Sequence, residues 1–153
     1  MRRFSSLLLL SALLLPIACG TPRGTAAAPT APALEFDRHQ VWLLTTMRGK
    51  PVSQSNTITL MLNAEAGALN GRAWCNRYFA DFSCRVDAPS AEGTRYKINV
   101  SYLGTDGLHC PEADMDAEAR YFALLAKADA CLLTTYSLTL YRGAKEIMYF
   151  ELQ

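Results

Sequence analysis

The chain lacks the motifs that usually mark a reaction centre. It has no C-x-x-C pair, no G-x-S-x-G elbow and no glycine-rich phosphate loop. The usual signatures of thiol redox enzymes, serine hydrolases and nucleotide-binding proteins are therefore missing. Tandem repeats are absent as well, so the length of 153 residues predicts one domain with a substantial core.

The chain also lacks an excess of charge of either sign. The chain has 15 Lys and Arg residues against 14 Asp and Glu residues. Removal of residues 1–18 takes away Arg2 and Arg3, which leaves 13 basic against 14 acidic side chains. A near-neutral chain without basic runs predicts no nucleic-acid partner and no attraction to anionic lipid headgroups.

The first eighteen residues have the pattern of an export signal. They begin with Met-Arg-Arg and contain an apolar run, Leu7–Leu15, that is too short to span a membrane. The following Leu-Pro-Ile-Ala-Cys-Gly resembles a bacterial lipobox, with Pro16 where that motif usually has Leu. We expect Cys19 to carry the lipid and Gly20 to favour the periplasmic face of the outer membrane. The alternative is a plain signal peptide with an incidental cysteine.

A tether follows the predicted lipidation site. Residues 20–33 read GTPRGTAAAPTAPA and show no apolar periodicity, which is typical of an extended linker. The predicted organisation is a signal peptide at 1–18, a lipidated cysteine with its tether at 19–33, and a folded domain at 34–153.

The folded domain is predicted to be α+β and mainly β. Val41–Met47 is rich in aromatic and branched residues, and Ile58, Leu60 and Leu62 alternate with polar or exposed positions. The same alternation places Tyr96, Ile98, Val100 and Tyr102 on one face of a strand. In total the pattern predicts about seven or eight antiparallel strands.

One segment, Pro111–Lys127, has helical character. It opens with proline, and its acidic side chains suit the positive end of a helix dipole rather than a calcium loop. An apolar stripe is predicted at the four positions Met115, Ala119, Phe122 and Ala126, widened by Tyr121 and Leu125.

Several separated motifs resemble the META domain, the HslJ-like family of bacterial envelope proteins. The opening motif consists of Trp42, Leu44, Gly49, Pro51 and Val52. The central motif consists of Leu60, Gly67, Leu69, Gly71, Cys75, Asn76, Arg77 and Tyr78. The resemblance implies a strongly curved, half-barrel-like antiparallel sheet with one helix, often in an envelope lipoprotein. Trp74 stands where the family usually has glycine.

Four cysteines remain if Cys19 is lipidated, and an even number predicts two disulfides in an oxidising compartment. Their spacing is unlike that of zinc ligands, which favours structural disulfides. The alternative is that the cysteines bind a metal or take part in redox chemistry. The four, Cys75, Cys84, Cys110 and Cys131, permit three pairings. The family resemblance favours Cys75 with Cys110, because Cys75 lies in the central motif and residues 105–110 resemble the family's later cysteine segment. This pairing leaves Cys84 with Cys131.

Two further sets of residues are candidates for function. His109 and Asp106 beside Cys110 would suit a small periplasmic thiol enzyme, although oxidation of Cys110 would remove the nucleophile. A binding surface is the second possibility, formed by Trp74, Asn76, Arg77 and Tyr78. We expect Arg77 to be its exposed contact, Asn76 to bond its own backbone, and the aromatic rings to pack mostly inward.

The predicted function is therefore a non-enzymatic, lipid-anchored envelope protein that acts by binding or assembly in the cell envelope or in stress tolerance. No catalytic residue, metal or cofactor is expected. The predicted partners are the membrane, through the N-terminal lipid, and an unknown envelope protein or small ligand. The alternatives are the thiol enzyme and a carrier of a small hydrophobic ligand.

Overall fold

The computed structural model describes residues 35–53, 57–89 and 91–153. The predicted signal peptide, Cys19 and the tether lie outside the described residues. The described chain forms nine strands and one helix: β1 (Trp42–Met47), β2 (Lys50–Pro51), β3 (Thr59–Asn63), β4 (Ala68–Ala73), β5 (Asn76–Pro89), β6 (Thr94–Thr105), α1 (Glu112–Leu125), β7 (Ala130–Leu133), β8 (Ser137–Arg142) and β9 (Lys145–Leu152).

All strands belong to one antiparallel sheet that closes on itself. Neighbours follow the order β2-β1-β3-β4-β5-β6-β7-β8-β9, and β1 also pairs with β9 through registers such as Leu44 with Phe150. Eight strands therefore form a barrel-like ring, and the two-residue β2 extends β1 outside it. The prediction of a mainly β, strongly curved antiparallel sheet with one helix is confirmed.

The interior of the ring is filled by side chains. Alternation along β3 buries Leu60 and Leu62, as the period-two pattern predicts. The largest fully buried side chains come from β1, β3, β4, β5, α1, β7, β8 and β9 and from Ile58 just before β3: Trp42, Ile58, Leu60, Leu69, Tyr78, Tyr121, Leu125, Leu133, Leu138, Leu140, Met148 and Phe150. Small rings of this kind have interiors just wide enough for such filling.

The predicted inward face of β6 breaks at Tyr102. Tyr96, Ile98 and Val100 are buried, but Tyr102 is 84% exposed and has a φ of 52°. The cause is a β-bulge, because the register between β5 and β6 shifts between Phe79 and Asp81. A bulge inserts unmatched residues into one strand and reverses the alternation beyond it.

The helix buries a different stripe from the predicted one. Its buried residues are Glu118, Tyr121, Leu124 and Leu125, whereas Met115 and Ala119 are exposed. The prediction missed this rotation because it treated Glu118 as a solvent-exposed acid. The fourteen residues of α1 are too few and too polar to cross a membrane, and no other helix occurs among the described residues.

The two ends of the ring differ. We call the end that carries α1 and the turns at 48–49, 74–75 and 143–144 the helix end. The described chain begins at the opposite end, where the Phe36 ring packs against the rings of Phe82 and Tyr96 at centroid distances of 5.7 and 4.7 Å.

Candidate functional site

A disulfide joins the helix end of the sheet to the start of the helix. Cys75 lies in the turn between β4 and β5, and Cys110 lies two residues before α1. Their Cα atoms are 6.5 Å apart. The predicted Cys75–Cys110 pairing is confirmed, and Cys110 is buried in the folded chain.

Asn76 lies beside this disulfide and is only 3% exposed. Its Oδ1 accepts a hydrogen bond of 2.7 Å from the Leu108 backbone N–H, and its Nδ2 donates one of 2.8 Å to Oε1 of Glu118. Nδ2 also lies 3.6 Å from the Cys110 sulfur. The expectation that Asn76 bonds its own backbone is therefore wrong. Its side chain links β5 to the segment before the helix and to the helix itself.

Glu118 is the site residue that sequence reasoning missed. It is 8% exposed, and its Oε2 atom is buried without a hydrogen-bond partner among the described residues. A buried carboxyl is costly unless it is hydrogen-bonded, so the single bond from Asn76 is its principal compensation. Its spacing from Tyr121 and Leu125, three and seven residues, is the sequence signal that would have placed it on the buried face.

A chain of hydroxyl groups continues the contact between sheet and helix. The Tyr78 hydroxyl donates to the Thr59 carbonyl at 2.8 Å and lies 2.6 Å from the Tyr121 hydroxyl, which therefore donates to it. Burial raises the pKa of both tyrosines, and the neighbouring Tyr121 raises that of Tyr78 further. Gly71 makes room for this chain, because a Cβ there would overlap the Thr59 carbonyl and the Tyr78 hydroxyl.

Trp74 occupies the turn in an unusual backbone conformation. Its φ is 48°, in the left-handed region that glycine tolerates best. The ring is half-buried and packs edge-on against Tyr121 at 6.3 Å. We infer that this aromatic contact offsets the backbone strain.

The four residues of the predicted binding surface have separated. Asn76 and Tyr78 are buried and Trp74 is half-buried, whereas Arg77 is exposed. The Arg77 backbone N–H donates to Oδ1 of Asp106 at 3.1 Å, and the Asp106 N–H donates back to the Arg77 carbonyl. Of the four, Arg77 alone presents a free face to solvent, and its role as a contact stays a prediction.

The predicted disulfide between Cys84 and Cys131 is wrong, because both are free thiols. Cys84 pairs with Ile98 on one edge of β6, and Cys131 pairs with Tyr96 on the other. A whole strand lies between them, so their Cα atoms are two strand spacings apart, roughly 10 Å, beyond the reach of a disulfide. Burial raises the pKa of the Cys84 thiol and that of Cys131, the latter to about 12.

The residues proposed for a thiol enzyme do not assemble around a free thiol. Cys110 is oxidised, His109 is exposed, and the Asp106 carboxylate accepts from the Arg77 backbone. Within residues 35–53, 57–89 and 91–153, no group of three or more His, Cys, Asp and Glu side chains is placed to hold a metal ion. The disulfide and the hydrogen bonds of Asn76 connect the sheet to the helix, and we call Cys75, Asn76, Cys110 and Glu118 the latch.

The fold and the latch define a class of small, disulfide-linked proteins with a closed antiparallel sheet and one helix. The family model of the META domain matches residues 32–153, and the chain belongs to this family. An NMR structure of a protein from Burkholderia xenovorans is 19% identical, with a TM-score of 0.56 over 87% of this chain and 99% of that one.

A second NMR structure of a protein is 21% identical, with a TM-score of 0.51 over 75% of this chain and 90% of that one. At these identities the two structures show a shared fold. No curated protein sequence matches the chain.

Proposed function

We propose that this META-domain protein is a non-enzymatic envelope protein, anchored by lipid on Cys19 at the periplasmic face of the outer membrane, that acts by binding or assembly. The observation that carries the proposal is the Cys75–Cys110 disulfide. Disulfides persist in oxidising compartments, which agrees with the export signal and lipobox-like motif of the sequence.

The use of the buried polar groups supports a binding rather than a catalytic role. The side chains of Asn76, Tyr78 and Tyr121 are engaged in hydrogen bonds that connect sheet and helix. Burial raises the pKa of both tyrosines further above the ordinary 10.0, so neither supplies a phenolate at neutral pH. Groups held in this way stabilise a scaffold, and the exposed surface is left for recognition.

Lipid attachment is tested by expressing the full chain and a Cys19→Ser variant and separating the membranes from the soluble envelope fraction. We expect the parent protein in the outer-membrane fraction with a lipid-modified Cys19, identified by mass spectrometry of the N-terminal peptide. The variant should leave that fraction. A matched Cys84→Ser variant, which changes a cysteine of the folded domain, should stay there. An unmodified N-terminus in the parent protein would contradict the anchor.

Binding is tested by placing a photocrosslinking amino acid at Arg77 and, as a control, at Arg85, which is also exposed and lies farther along β5. We expect position 77 to capture a discrete partner in intact cells and position 85 to capture less. Equal capture at both positions would show that Arg77 does not mark a specific contact.

A further inference from the structure

Six basic side chains gather at the helix end, although the sequence has no basic run. They come from three separate segments: the β1–β2 turn, the helix with the residues just after it, and the β8–β9 turn. We call this set the basic end; it consists of Arg48, Lys50, Arg120, Lys127, Arg142 and Lys145. All six are exposed. The pairing of β1 with β9 brings the two turns together, with the Arg48 N–H donating to the Ile147 carbonyl.

The six side chains border two adjoining surface hollows. The first, of about 250 Å³, is bordered by four of them above an apolar floor: Arg48, Lys127, Arg142 and Lys145, over Leu124 and Ile147. The second, of about 270 Å³, is bordered by Lys50, Arg120 and again Arg48, beside Met47, Pro51 and Val52. Arg48 borders both hollows, so the positive surface is continuous. None of the residues that line them is acidic.

The six basic side chains are not paired with acids in the part of the chain that the structure describes. Among the described residues, none of the six forms an ion pair; the salt bridge there joins Lys97 to Asp87. Glu146 pairs with Tyr141, so alternation directs it to the opposite face from Lys145.

The Asp129 carboxylate accepts from the Gly143 N–H through both oxygens, so it lies at the β8–β9 turn and offsets part of the positive charge there. Asp116 lies four residues before Arg120 on α1 but forms no ion pair with it among the described residues. The basic end therefore keeps an excess of positive charge.

The helix dipole does not explain the cluster. A cation near the carboxyl end of a helix is favourable, which accounts for Lys127. Arg48, Arg142 and Lys145 lie on hairpin turns outside the helix and border the same hollow. Bringing like charges together costs free energy unless an anion compensates them. The arrangement is therefore suited to an external anionic surface.

The near-neutral composition predicted no attraction to anionic lipid headgroups, but composition does not show where the charges gather. We propose that the basic end docks on a membrane surface rich in anionic phospholipid headgroups. A single phosphate would be held by donors that converge on one point, whereas these cations spread over three segments and two shallow hollows. A spread of this kind matches an array of phosphates, and each Lys or Arg near such a surface strengthens binding about fivefold. The partly exposed Met47, Pro51 and Val52 of the second hollow would lie against the glycerol and upper acyl region.

Docking of the basic end does not require the lipid anchor on Cys19, but the two can occur together. The chain from Cys19 to Leu34 reaches at most about 55 Å when extended, about twice the length of an eight-residue strand such as β9. That reach would let the basic end contact the membrane that holds the anchor. This compatibility rests on the proposed function, but the docking itself does not.

The test uses the full chain with Cys19→Ser, so that lipid attachment plays no part. Sedimentation measures its partition onto vesicles of phosphatidylcholine with about 30 mol% phosphatidylglycerol, compared with phosphatidylcholine alone. The test variant adds Arg48→Gln, Lys127→Gln and Lys145→Gln. The matched control instead adds Arg38→Gln, Arg85→Gln and Lys97→Gln, three exposed cations outside the basic end. Equal unfolding midpoints for the two variants establish that both are folded.

We expect binding to the anionic vesicles only, weakened as salt rises from about 0.1 M to about 1 M because the screening length shrinks. The test variant should lose on the order of a hundredfold in partition, and the control less than tenfold. Equal losses in the two variants, or equal binding to both vesicles, would overturn the proposal. Saturable binding of pyrophosphate at the basic end without vesicle binding would also overturn it, in favour of a soluble phosphate ligand.

Discussion

The two pairs of cysteines in the folded domain differ in that one forms a disulfide and the other does not. Cys75 and Cys110 form a disulfide at the helix end, beside the hydrogen bonds of Asn76. Cys84 and Cys131 remain thiols on the two strands that flank β6. The comparison shows that an even number of cysteines predicts how many can pair, whereas sheet register decides which of them meet.

The two pairs also differ in what surrounds them. The bonded pair lies among polar contacts that hold the helix on the sheet, including the buried Asn76–Glu118 hydrogen bond. The unbonded pair lies beside Tyr96, and Cys131 is 0% exposed in the core. The helix end should therefore depend on specific bonds, and the region around β6 on packing.

The largest expected effect comes from removing the disulfide. Cys75→Ala with Cys110→Ala should lower the free energy of unfolding by about 3 to 4 kcal/mol, because the bridge spans a sequence separation of 35 residues. Denaturant titration measures the loss. The control, Cys84→Ala, removes a half-buried thiol and should cost less than about 1 kcal/mol. A similar loss in both variants would erase the contrast between the pairs.

Removing Asn76 should have the next largest effect. Asn76→Ala leaves the Leu108 N–H and the Glu118 carboxyl without their partner, which should cost about 2 to 3 kcal/mol in the same titration. Asn70→Ala is the matched control, since Asn70 is exposed on the adjacent strand; it should change stability by at most about 0.5 kcal/mol. A neutral Asn76→Ala would mean that the latch contributes nothing.

The free thiol of Cys131 should reveal itself in the pH dependence of stability. Its pKa rises from the ordinary 9.0 to about 12 through burial, so the unfolded chain loses this proton first as pH rises. Stability contributed by Cys131 is complete below pH 9.0 and declines toward about 12. Between about pH 9 and 10 this decline amounts to about 1 kcal/mol.

The contribution of Cys131 to this decline is measured by comparing the free energies of unfolding of the parent protein and of Cys131→Ala over this pH range, without oxygen. The variant should show a smaller decline. Equal declines would indicate that Cys131 is not a buried thiol in solution. Ionisation of Tyr78 and Tyr121 adds a further decline above about pH 10 in both proteins, because burial raises the pKa of each.

The smallest effect concerns the turn at Trp74. Both Trp74→Ala and Trp74→Gly lose the ring contact with Tyr121, but glycine relieves the positive φ. The glycine variant should therefore be more stable than the alanine variant by about 1 kcal/mol. At Arg72, whose φ is not positive, Arg72→Ala should instead be more stable than Arg72→Gly by about 0.5 to 1 kcal/mol. Thermal unfolding of the four variants compares the two positions, and the same order at both would refute the strain.

Much of the fold follows from local pattern. Alternation at Leu60 and Leu62 places these residues in the core, because a half-buried strand directs every second side chain inward. The helix between Pro111 and Lys127 was correctly located, since its first turn carries acidic residues and its period is helical. The Cys75–Cys110 bond came from the order of the family motifs and not from spacing.

Other features depend on contacts between distant segments. The bulge that exposes Tyr102 comes from a register shift against β5, and the burial of Glu118 comes from its bond to Asn76. The bulge has no signal in the neighbouring residues, because it depends on a strand more than fifteen positions away. The spacing of Glu118 from Tyr121 and Leu125 indicates the buried face of the helix, but it does not indicate the partner, Asn76.

The sequence by itself determined the alternating strands, the single helix and the supply of four cysteines in the folded domain, since these depend on residues close together in the chain. Tertiary structure alone decided the closure of β1 on β9, the separation of Cys84 from Cys131 and the gathering of basic side chains at one end. The physical reason is register: pairing between remote strands sets which side chains become neighbours, and no local pattern contains that information.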